Sequence, residues 1–253
     1  MRVFDFTHAI VRTPARSVVN GLRMGGEAPT FEGVSAQHGN YVAALREIGL
    51  NLDVLPPLED FPDSTFVEDP ALTFPDGAIL LQPGAPSRAA EPEQMRAALT
   101  RHFRKVLEVG PDEHVDGGDV LVTPATVFIG LSKRTSLAGA TALQGRLREL
   151  GRDSCITETP KDVLHFKSVS SLVAEDVILC TPPMARFFDG FKILIAPEEA
   201  APNAIRVNDT VFVGAEYPRT VAMLRAEGFD VTPVPVSEIA KLDAGLSCMS
   251  LRW

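Results

Sequence analysis

The chain repeats one short pattern, in which an apolar run, a polar turn and a second apolar run follow each other. Because apolar runs joined by two or three turn residues are typical of antiparallel strand pairs, each copy is predicted to form a β-hairpin. The four copies are 69–83 ("DPALTFPDGAILLQP"), 118–132, 170–182 and 203–216. Residues 3–14 supply strand material for a fifth unit.

Between the hairpins, apolar residues recur with the spacing of one helix face. The predicted amphipathic helices lie at 41–50, 92–106, 137–150 and 218–228, and short apolar strands follow at 51–57 and 229–236. A doubly wound dinucleotide-binding sheet is not indicated, because no GxGxxG loop follows a first strand. Five strand-rich units with intervening helices instead predict a pseudo-symmetric, radially repeated α/β fold. No linker-like stretch interrupts the chain, so residues 1–253 are expected to form one domain.

Charge and cysteine content exclude several classes of protein. With 33 acidic against 24 basic residues and a net charge of −9, the chain lacks the basic balance of a nucleic-acid-binding protein. No apolar run has the length of a membrane span, and the N-terminus lacks the features of a secretory signal. Three cysteines without CxxC spacing indicate neither a disulfide framework nor a zinc site. We therefore expect a cytoplasmic protein with no nucleic-acid or membrane partner.

The segment "LDAGLSCMSLRW" places a thiol, Cys248, close to the C-terminus. Most intracellular cysteines are small buried hydrophobes, and Cys180 at the end of an apolar run fits that description. Cys248 differs because Gly245 and Ser247 offer a flexible, polar approach, which indicates an exposed nucleophile. A thiol nucleophile needs a neighbouring acid or base, which is usually a histidine.

His165 is the histidine best placed for that task. It stands between two apolar residues at the entry to a strand unit, where it is either a half-buried structural residue or a proton shuttle. His38 and His102 lie in helical segments and are predicted to be at the surface. In "EHVDGGDVLV", Asp116 precedes a glycine pair that is expected to form a turn with left-handed backbone, and its carboxylate could orient a histidine. His114 and the two carboxylates of this stretch lack a metal-ligand spacing.

Three carboxylates, Asp63, Glu68 and Asp69, follow each other closely in "FPDSTFVEDPALTF". They are either solvated turn residues or an inward-facing group that requires a cation, such as a guanidinium. Arg88 and Arg134 lie on predicted strand-to-helix loops, where each alone would be a surface charge. Together they could clamp a carboxylate. The residues thus suggest a pocket for a zwitterionic amino acid with a cationic tail, such as arginine.

Six motifs resemble, in this order, those of the dimethylarginine dimethylaminohydrolase family. They are "FPDSTFVEDPAL", "PGAPSR", "GGDVL", "GLSKRT", "VLHFKS" and "SCMSLRW", and the resemblance extends over essentially the whole chain. It implies a pentein fold, a five-bladed α/β propeller of ββαβ modules with pseudo-five-fold symmetry. It also implies hydrolysis of Nω,Nω-dimethyl-L-arginine and Nω-monomethyl-L-arginine to L-citrulline through a covalent cysteine thiouronium. No metal and no cofactor are expected.

The resemblance also implies a role for each matching residue. Cys248 is expected to be the nucleophile, His165 the general acid and base, and Asp116 the carboxylate that supports the histidine. The remaining matches are expected to contact substrate: Asp69 and Glu68 at the guanidinium, Asp63 and the main chain of Leu22 at the α-amino group, Arg88 and Arg134 at the α-carboxylate, and the backbone of Leu242 near the reacting end. Ser247 stands where some relatives carry a second cysteine that can bind zinc, so no comparable zinc inhibition is expected.

Other functions stay open at this point. An arginine deiminase would perform the same chemistry on unmethylated arginine, but that family is generally longer and has an inserted helical region that is not evident here. Another guanidine hydrolase or a catalytically silent guanidine-binding protein would also use a pocket of this kind. A carboxylate metal site at 114–119 is a further alternative. The oligomeric state is open between monomer and homodimer.

Overall fold

The computed structural model describes residues 3–253, and fifteen strands within this range form five three-stranded sheets. The strands are β1 His8–Arg12, β2 Asn51–Leu55, β3 Ala71–Phe74, β4 Gly77–Leu80, β5 Val106–Glu108, β6 Val120–Val122, β7 Val127–Leu131, β8 Ser154–Glu158, β9 Ser170–Ala174, β10 Val177–Cys180, β11 Lys192–Ile195, β12 Ile205–Val207, β13 Thr210–Gly214, β14 Asp230–Val234 and β15 Leu251–Arg252. The α-helices in the same range are α1 Phe31–Glu47, α2 Glu91–His102, α3 Leu137–Glu149, α4 Pro218–Ala226 and α5 Ser237–Ala240. Over residues 3–253, no helix combines the length and apolarity needed to cross a bilayer.

Four sheets repeat one chain order, and their hairpins are the four that the sequence predicts. In each, the first two strands pair antiparallel and the third returns parallel to the second, as in β3–β4–β5 and β6–β7–β8. A parallel return needs a crossover connection, and a helix supplies it. The five-bladed α/β propeller of ββαβ modules is therefore confirmed. The module that contains β9 to β11 departs slightly, because a 3₁₀ helix at Pro182–Phe187 replaces the α-helix.

The fifth sheet joins the two ends of the chain. β1 pairs in parallel with β2 and antiparallel with β15, with Ala9 opposite Arg252. The main-chain carbonyl of Trp253 accepts hydrogen bonds from two backbone N–H groups near the N-terminus. The centroid of the Trp253 ring lies 4.8 Å from that of the Phe103 ring. These contacts hold the C-terminal segment, so Cys248 lies in an ordered part of the chain.

The predicted helices pack through the apolar faces identified in the sequence. Leu143 and Leu147 of α3, and Met95 and Leu99 of α2, are fully buried against the neighbouring sheets. Burial of one such side chain contributes about 1.5–3 kcal/mol. α1 begins well before its predicted start, because the hydroxyl of Thr30 caps it by accepting a hydrogen bond from the next turn.

The packing of α1 corrects one prediction. His38 was expected at the surface, but only 5% of it is exposed. It precedes Tyr41 by three residues and Leu45 by seven, so it lies on the helix face that packs into the core. Burial lowers its pKa to about 4. His102, at the end of α2, is exposed as predicted.

Candidate active site

A cavity of about 120 Å³ brings together most of the predicted site residues. Those that line it are Leu22, Asp63, Asp69, Arg88, Arg134, His165, Leu242 and Cys248. They come from loops and strand ends that are remote in the sequence, so it is the propeller that makes them neighbours. The other two, Asp116 and Glu68, lie behind the cavity wall and contact residues that form it.

Cys248 lies in a short 3₁₀ helix, Ser247–Met249, immediately before β15. The expectation of an exposed thiol is wrong, since the residue is 8% exposed and packs with Leu246 and Met249 in a hydrophobic cluster. The N–H of Gly245 donates to its Sγ at 3.5 Å. Burial, followed by the charges of Glu68 and Asp69, raises the pKa of the thiol to about 11. The thiol is therefore neutral at neutral pH when no cationic ligand is bound.

His165 and Asp116 form a buried pair, and His165 lines the same cavity as Cys248. The Nε2 atom of His165 lies 3.0 Å from Oδ2 of Asp116, whose Oδ1 accepts a hydrogen bond from the N–H of Gly84 at 2.7 Å. Burial alone would lower the pKa of the imidazole, but the charges of Asp69, Asp116 and Asp119 outweigh it and raise the pKa to about 9. His165 is thus an imidazolium at neutral pH and can donate a proton.

The raised pKa of His165 predicts how stability depends on pH. A group whose folded pKa exceeds its unfolded value of about 6.5 stabilises the folded state below that value, and this contribution is lost as pH rises through about 9. We expect the free energy of unfolding to fall by roughly 3 kcal/mol over this window. Urea titrations at several pH values would measure the slope, and His165→Gln should flatten it. An equally steep slope in that variant would contradict the assignment.

Two glycines allow the close packing of His165 and Glu68, for a reason that differs from the one expected. Neither Gly117 nor Gly118 has positive φ, so the predicted left-handed turn is wrong; they form a 3₁₀ turn instead. A Cβ on Gly117 would lie 2.0 Å from the carbonyl oxygen of Glu68, and one on Gly118 would lie 2.5 Å from Nδ1 of His165. Close approach therefore requires glycine at both positions.

The close approach at Gly118 predicts a loss of activity on substitution. Gly118→Ala should push the His165 ring from Asp116 and lower turnover by roughly 100-fold, since displacement of a catalytic group by about 1 Å has effects of that size. Gly145→Ala is the matched control, because a Cβ on this helical glycine meets nothing within 4 Å. Kinetics of both variants would test this. Wild-type turnover in Gly118→Ala would contradict it.

Asp69 is fully enclosed and already holds a guanidinium, that of Arg88. One oxygen of Asp69 accepts from Arg88 Nη1 and the other from the N–H of Gly118 at 3.0 Å. Glu91 binds Arg88 Nε through both oxygens at 3.0 and 3.1 Å. Despite burial, the charges of Arg88 and His165 lower the pKa of Asp69. Asp69 thus faces inward, and the cation that pairs with it in this structure belongs to the protein itself.

Arg88 is only 4% exposed, so its interpretation as a lone surface charge is wrong. Sequence reasoning missed its partner Glu91, although the three-residue spacing at the start of α2 was a usable signal. The role expected for Arg88 at an α-carboxylate stays a prediction. For that role its Nη1 offers a second N–H beside the one that binds Asp69.

Asp63 and Arg134 also line the cavity, and both are expected to bind the amino-acid part of a ligand. Asp63 is buried, and its Oδ1 accepts from the N–H of Leu22 at 2.9 Å, which leaves Oδ2 for a further donor. Burial raises the pKa of Asp63. The Arg134 side chain is 19% exposed, and its Nη1 lies 3.7 Å from Asp116. Asp243, next to Leu242, accepts from the N–H of Met24 at the cavity mouth.

Glu68 points away from the cavity. Its carboxylate binds Lys167 Nζ at 2.5 Å and the hydroxyl of Ser247 at 2.9 Å. Sequence reasoning missed the contacts of both partners, and no local spacing could have shown them, because the three residues meet only in the folded chain.

Asp69, Asp116 and His165 could also be considered as metal ligands, because one ligand atom of each lies within 4.8 Å of the others. Their present partners argue for an ion-pair network instead. His165 Nε2 binds Asp116, and both oxygens of Asp69 already accept hydrogen bonds. A metal-bound imidazole must be neutral, whereas these carboxylates favour the imidazolium. The expectation of a metal-free site stays a prediction.

One family model and several known proteins match this chain. The family model described as arginine deiminase matches residues 53–201. The chain is similar to the N(G),N(G)-dimethylarginine dimethylaminohydrolase of Pseudomonas aeruginosa, with 37% identity over 98% of this chain and 100% of that protein. It superimposes with a TM-score of 0.95 and 36% identity on a solved structure of the Pseudomonas aeruginosa enzyme, a Cys-to-Ser mutant complexed with citrulline, covering 99% of this chain and 100% of that one. A second solved structure is that of a dimethylarginine dimethylaminohydrolase with a His-to-Gly substitution, in an adduct with S-methyl-L-thiocitrulline. It superimposes with a TM-score of 0.95 and 35% identity over 98% of this chain and 100% of the other.

Proposed function

Because the chain belongs to the dimethylarginine dimethylaminohydrolase family, we propose that it hydrolyses Nω,Nω-dimethyl-L-arginine to L-citrulline and dimethylamine. Nω-monomethyl-L-arginine is the second proposed substrate and releases methylamine. The observation that carries the proposal is the convergence of a buried thiol, a protonated imidazole and two enclosed carboxylates on one small cavity. A binding protein for guanidines would not need the thiol or the His165–Asp116 pair.

Opposite charges fix both ends of the ligand in this proposal. The guanidinium lies against Asp69, whose carboxylate already pairs with a guanidinium in the form of Arg88. The α-amino group binds the remaining oxygen of Asp63 and the main chain of Leu22. Arg134, the more exposed of the two arginines, and Arg88 bind the α-carboxylate. Arg88 can keep Asp69 and Glu91 as partners while the second N–H of its Nη1 binds the ligand.

The electrostatics of the site account for the order of the chemical steps. The thiol of Cys248 is neutral while no cationic ligand is bound. A bound guanidinium offsets the charges of Glu68 and Asp69 and favours the thiolate, and the thiol proton passes to water because His165 is already protonated. The sulfur attacks the central guanidino carbon and forms a neutral tetrahedral adduct. His165 protonates the departing dimethylamine, which leaves a cationic thiouronium on Cys248.

The neutral imidazole then serves the second half-reaction. It removes a proton from the water that attacks the thiouronium carbon, and the adduct collapses to citrulline as the carbon–sulfur bond breaks. The proton released by the product returns to the sulfur. Asp116, bound to Nε2 of His165, keeps the ring in one orientation while it changes charge.

A side-by-side assay tests the proposed function. Citrulline release should be measured for dimethylarginine, monomethylarginine and arginine over a range of concentrations. We expect the highest kcat/KM with a methylated substrate. The match to the arginine deiminase model makes arginine the competing substrate. A preference for arginine would identify the reaction as that of an arginine deiminase. No citrulline from any of the three would reject the proposal.

Three further expectations accompany this function as proposals. The chain forms a single domain over 1–253, acts in the cytoplasm, and exists as a monomer or homodimer. The small cavity and a net charge of −9 suit a small cationic ligand better than a macromolecule. Light scattering of the purified protein would decide between the two oligomeric states.

A further inference from the structure

Neighbouring residues at 68–69, 165–167 and 247–248 form a wall between the candidate active site and a second, larger cavity of about 710 Å³. Strands from all five sheets line this larger cavity: β3, β6, β9, β12 and β15. Close neighbours in the sequence face opposite sides of the wall. Asp69, His165 and Cys248 line the small cavity, whereas Glu68, Lys167 and Ser247 line the large one.

Direct contacts cross the wall to the thiol. The hydroxyl of Ser247 donates to Glu68 Oε2 at 2.9 Å and lies 3.9 Å from the Sγ of Cys248. On the far side, Lys167 Nζ donates to Glu68 Oε1 at 2.5 Å. Arg252 Nη2 is more distant from the same oxygen, at 3.8 Å. Lys167 is thus connected to Cys248 through Glu68, whose carboxylate binds Ser247 and whose N–H donates to the Cys248 carbonyl at 3.2 Å.

The charges on this wall oppose ionisation of the thiol. After burial, Glu68 and Asp69 are the groups that raise the pKa of Cys248. Arg88 offsets the charge of Asp69, and Lys167 is the nearest cation to Glu68 among the described residues. Tyr41 is a further ionisable neighbour of Glu68, and its hydroxyl hydrogen-bonds Ser250. Without Lys167, the negative charge of Glu68 would be offset mainly by the more distant Arg252.

We propose that Lys167 is a positioning residue for Cys248, and that its ion pair with Glu68 permits thiolate formation on the opposite side of the wall. This role deepens the proposed function, since it rests on Cys248 as the nucleophile. Lys167 does not line the small cavity, so its effect does not require contact with substrate.

Alkylation of Cys248 without substrate tests the proposal. The rate with iodoacetamide is followed at Cys248 by peptide mass spectrometry between about pH 7 and pH 10, where the thiolate is the reacting species. In Lys167→Met, loss of one nearby cation should raise the pKa of the thiol by about one unit. Because a more basic thiolate is also more nucleophilic, we expect a rate lower by roughly three- to fivefold.

Two further variants separate charge from structure. Lys167→Met combined with Glu68→Gln removes both charges and should restore at least the wild-type rate. Glu68→Gln alone keeps the size of the side chain and should react faster than wild type. This variant tests the proposal even if Lys167→Met does not fold. A wild-type rate in Lys167→Met, an equally slow double variant, or a Glu68→Gln rate at or below wild type would overturn the proposal.

The experiment also distinguishes the two proposals. Alkylation needs no turnover, so a protein that fails to hydrolyse dimethylarginine could still show the predicted dependence on Lys167. Conversely, active enzyme with unaltered alkylation in Lys167→Met would leave the proposed function intact and remove the role of Lys167 alone.

Discussion

Replacing Cys248 by serine is expected to abolish citrulline formation while the protein still binds dimethylarginine. A serine hydroxyl ionises far less readily than a thiol, and the same burial and carboxylates that raise the pKa of the thiol would oppose an alkoxide still more. Loss of a nucleophile costs on the order of 10⁴-fold in kcat or more. Steady-state kinetics and equilibrium binding of substrate to the variant would measure both parts of the expectation.

Cys155→Ser is the matched control for that variant. Cys155 lies in β8, outside the cavity, and is only partly buried. Its replacement should leave kcat within about twofold of wild type, since substitutions remote from the site act mainly on stability. If Cys248→Ser kept a tenth or more of the wild-type turnover, the nucleophile would have to be sought elsewhere.

Asp69→Asn is expected to weaken substrate binding strongly, because it keeps the shape of the side chain and removes its charge. The guanidinium would lose its ion pair inside a closed cavity, and breaking such a pair costs about 3 kcal/mol, or roughly 150-fold in affinity. Asp69 also raises the pKa values of His165 and Cys248, so the variant should lower both. Binding measurements together with the pH dependence of Cys248 alkylation would show the two effects.

Asp76→Asn provides the comparison. Asp76 lies in the exposed turn between β3 and β4, and its ion pair with Arg152 has little effect on the free energy of unfolding. This variant should bind dimethylarginine like wild type. Unaltered affinity in Asp69→Asn, with a folded protein by thermal denaturation, would reject the proposed orientation of the guanidinium.

The hairpins and helices could be predicted because their signals are local. The turn between β3 and β4 and the apolar stripe of α3 depend on residues at most a few positions apart. Predictions failed where a boundary or a neighbour was not local. His38 is buried because other elements of the fold cover the face of α1 on which it lies. Gly118 is required by a ring that approaches from another module.

In the candidate site, too, local features could be predicted from the sequence and non-local contacts could not. Residue types and motif order pointed to Cys248, His165 and Asp116, since a thiol, an imidazole and a carboxylate are the groups that such chemistry uses. The position of Glu68 in the sequence did not reveal that its side chain faces away from the pocket. Neither Glu91 nor Lys167 was singled out, because each matters through a partner and not through a motif.

The sequence by itself therefore determined the repeated units, their helical connections and the kinds of reactive group available, all of which follow from short-range periodicity and side-chain chemistry. Only the tertiary structure decided which charges are neighbours, how deeply the thiol is buried and which side of the wall each carboxylate faces. The physical reason is that ionisation depends on burial and on charges a few ångströms away. Those distances are set when the two chain ends close the fifth sheet and bring remote loops together.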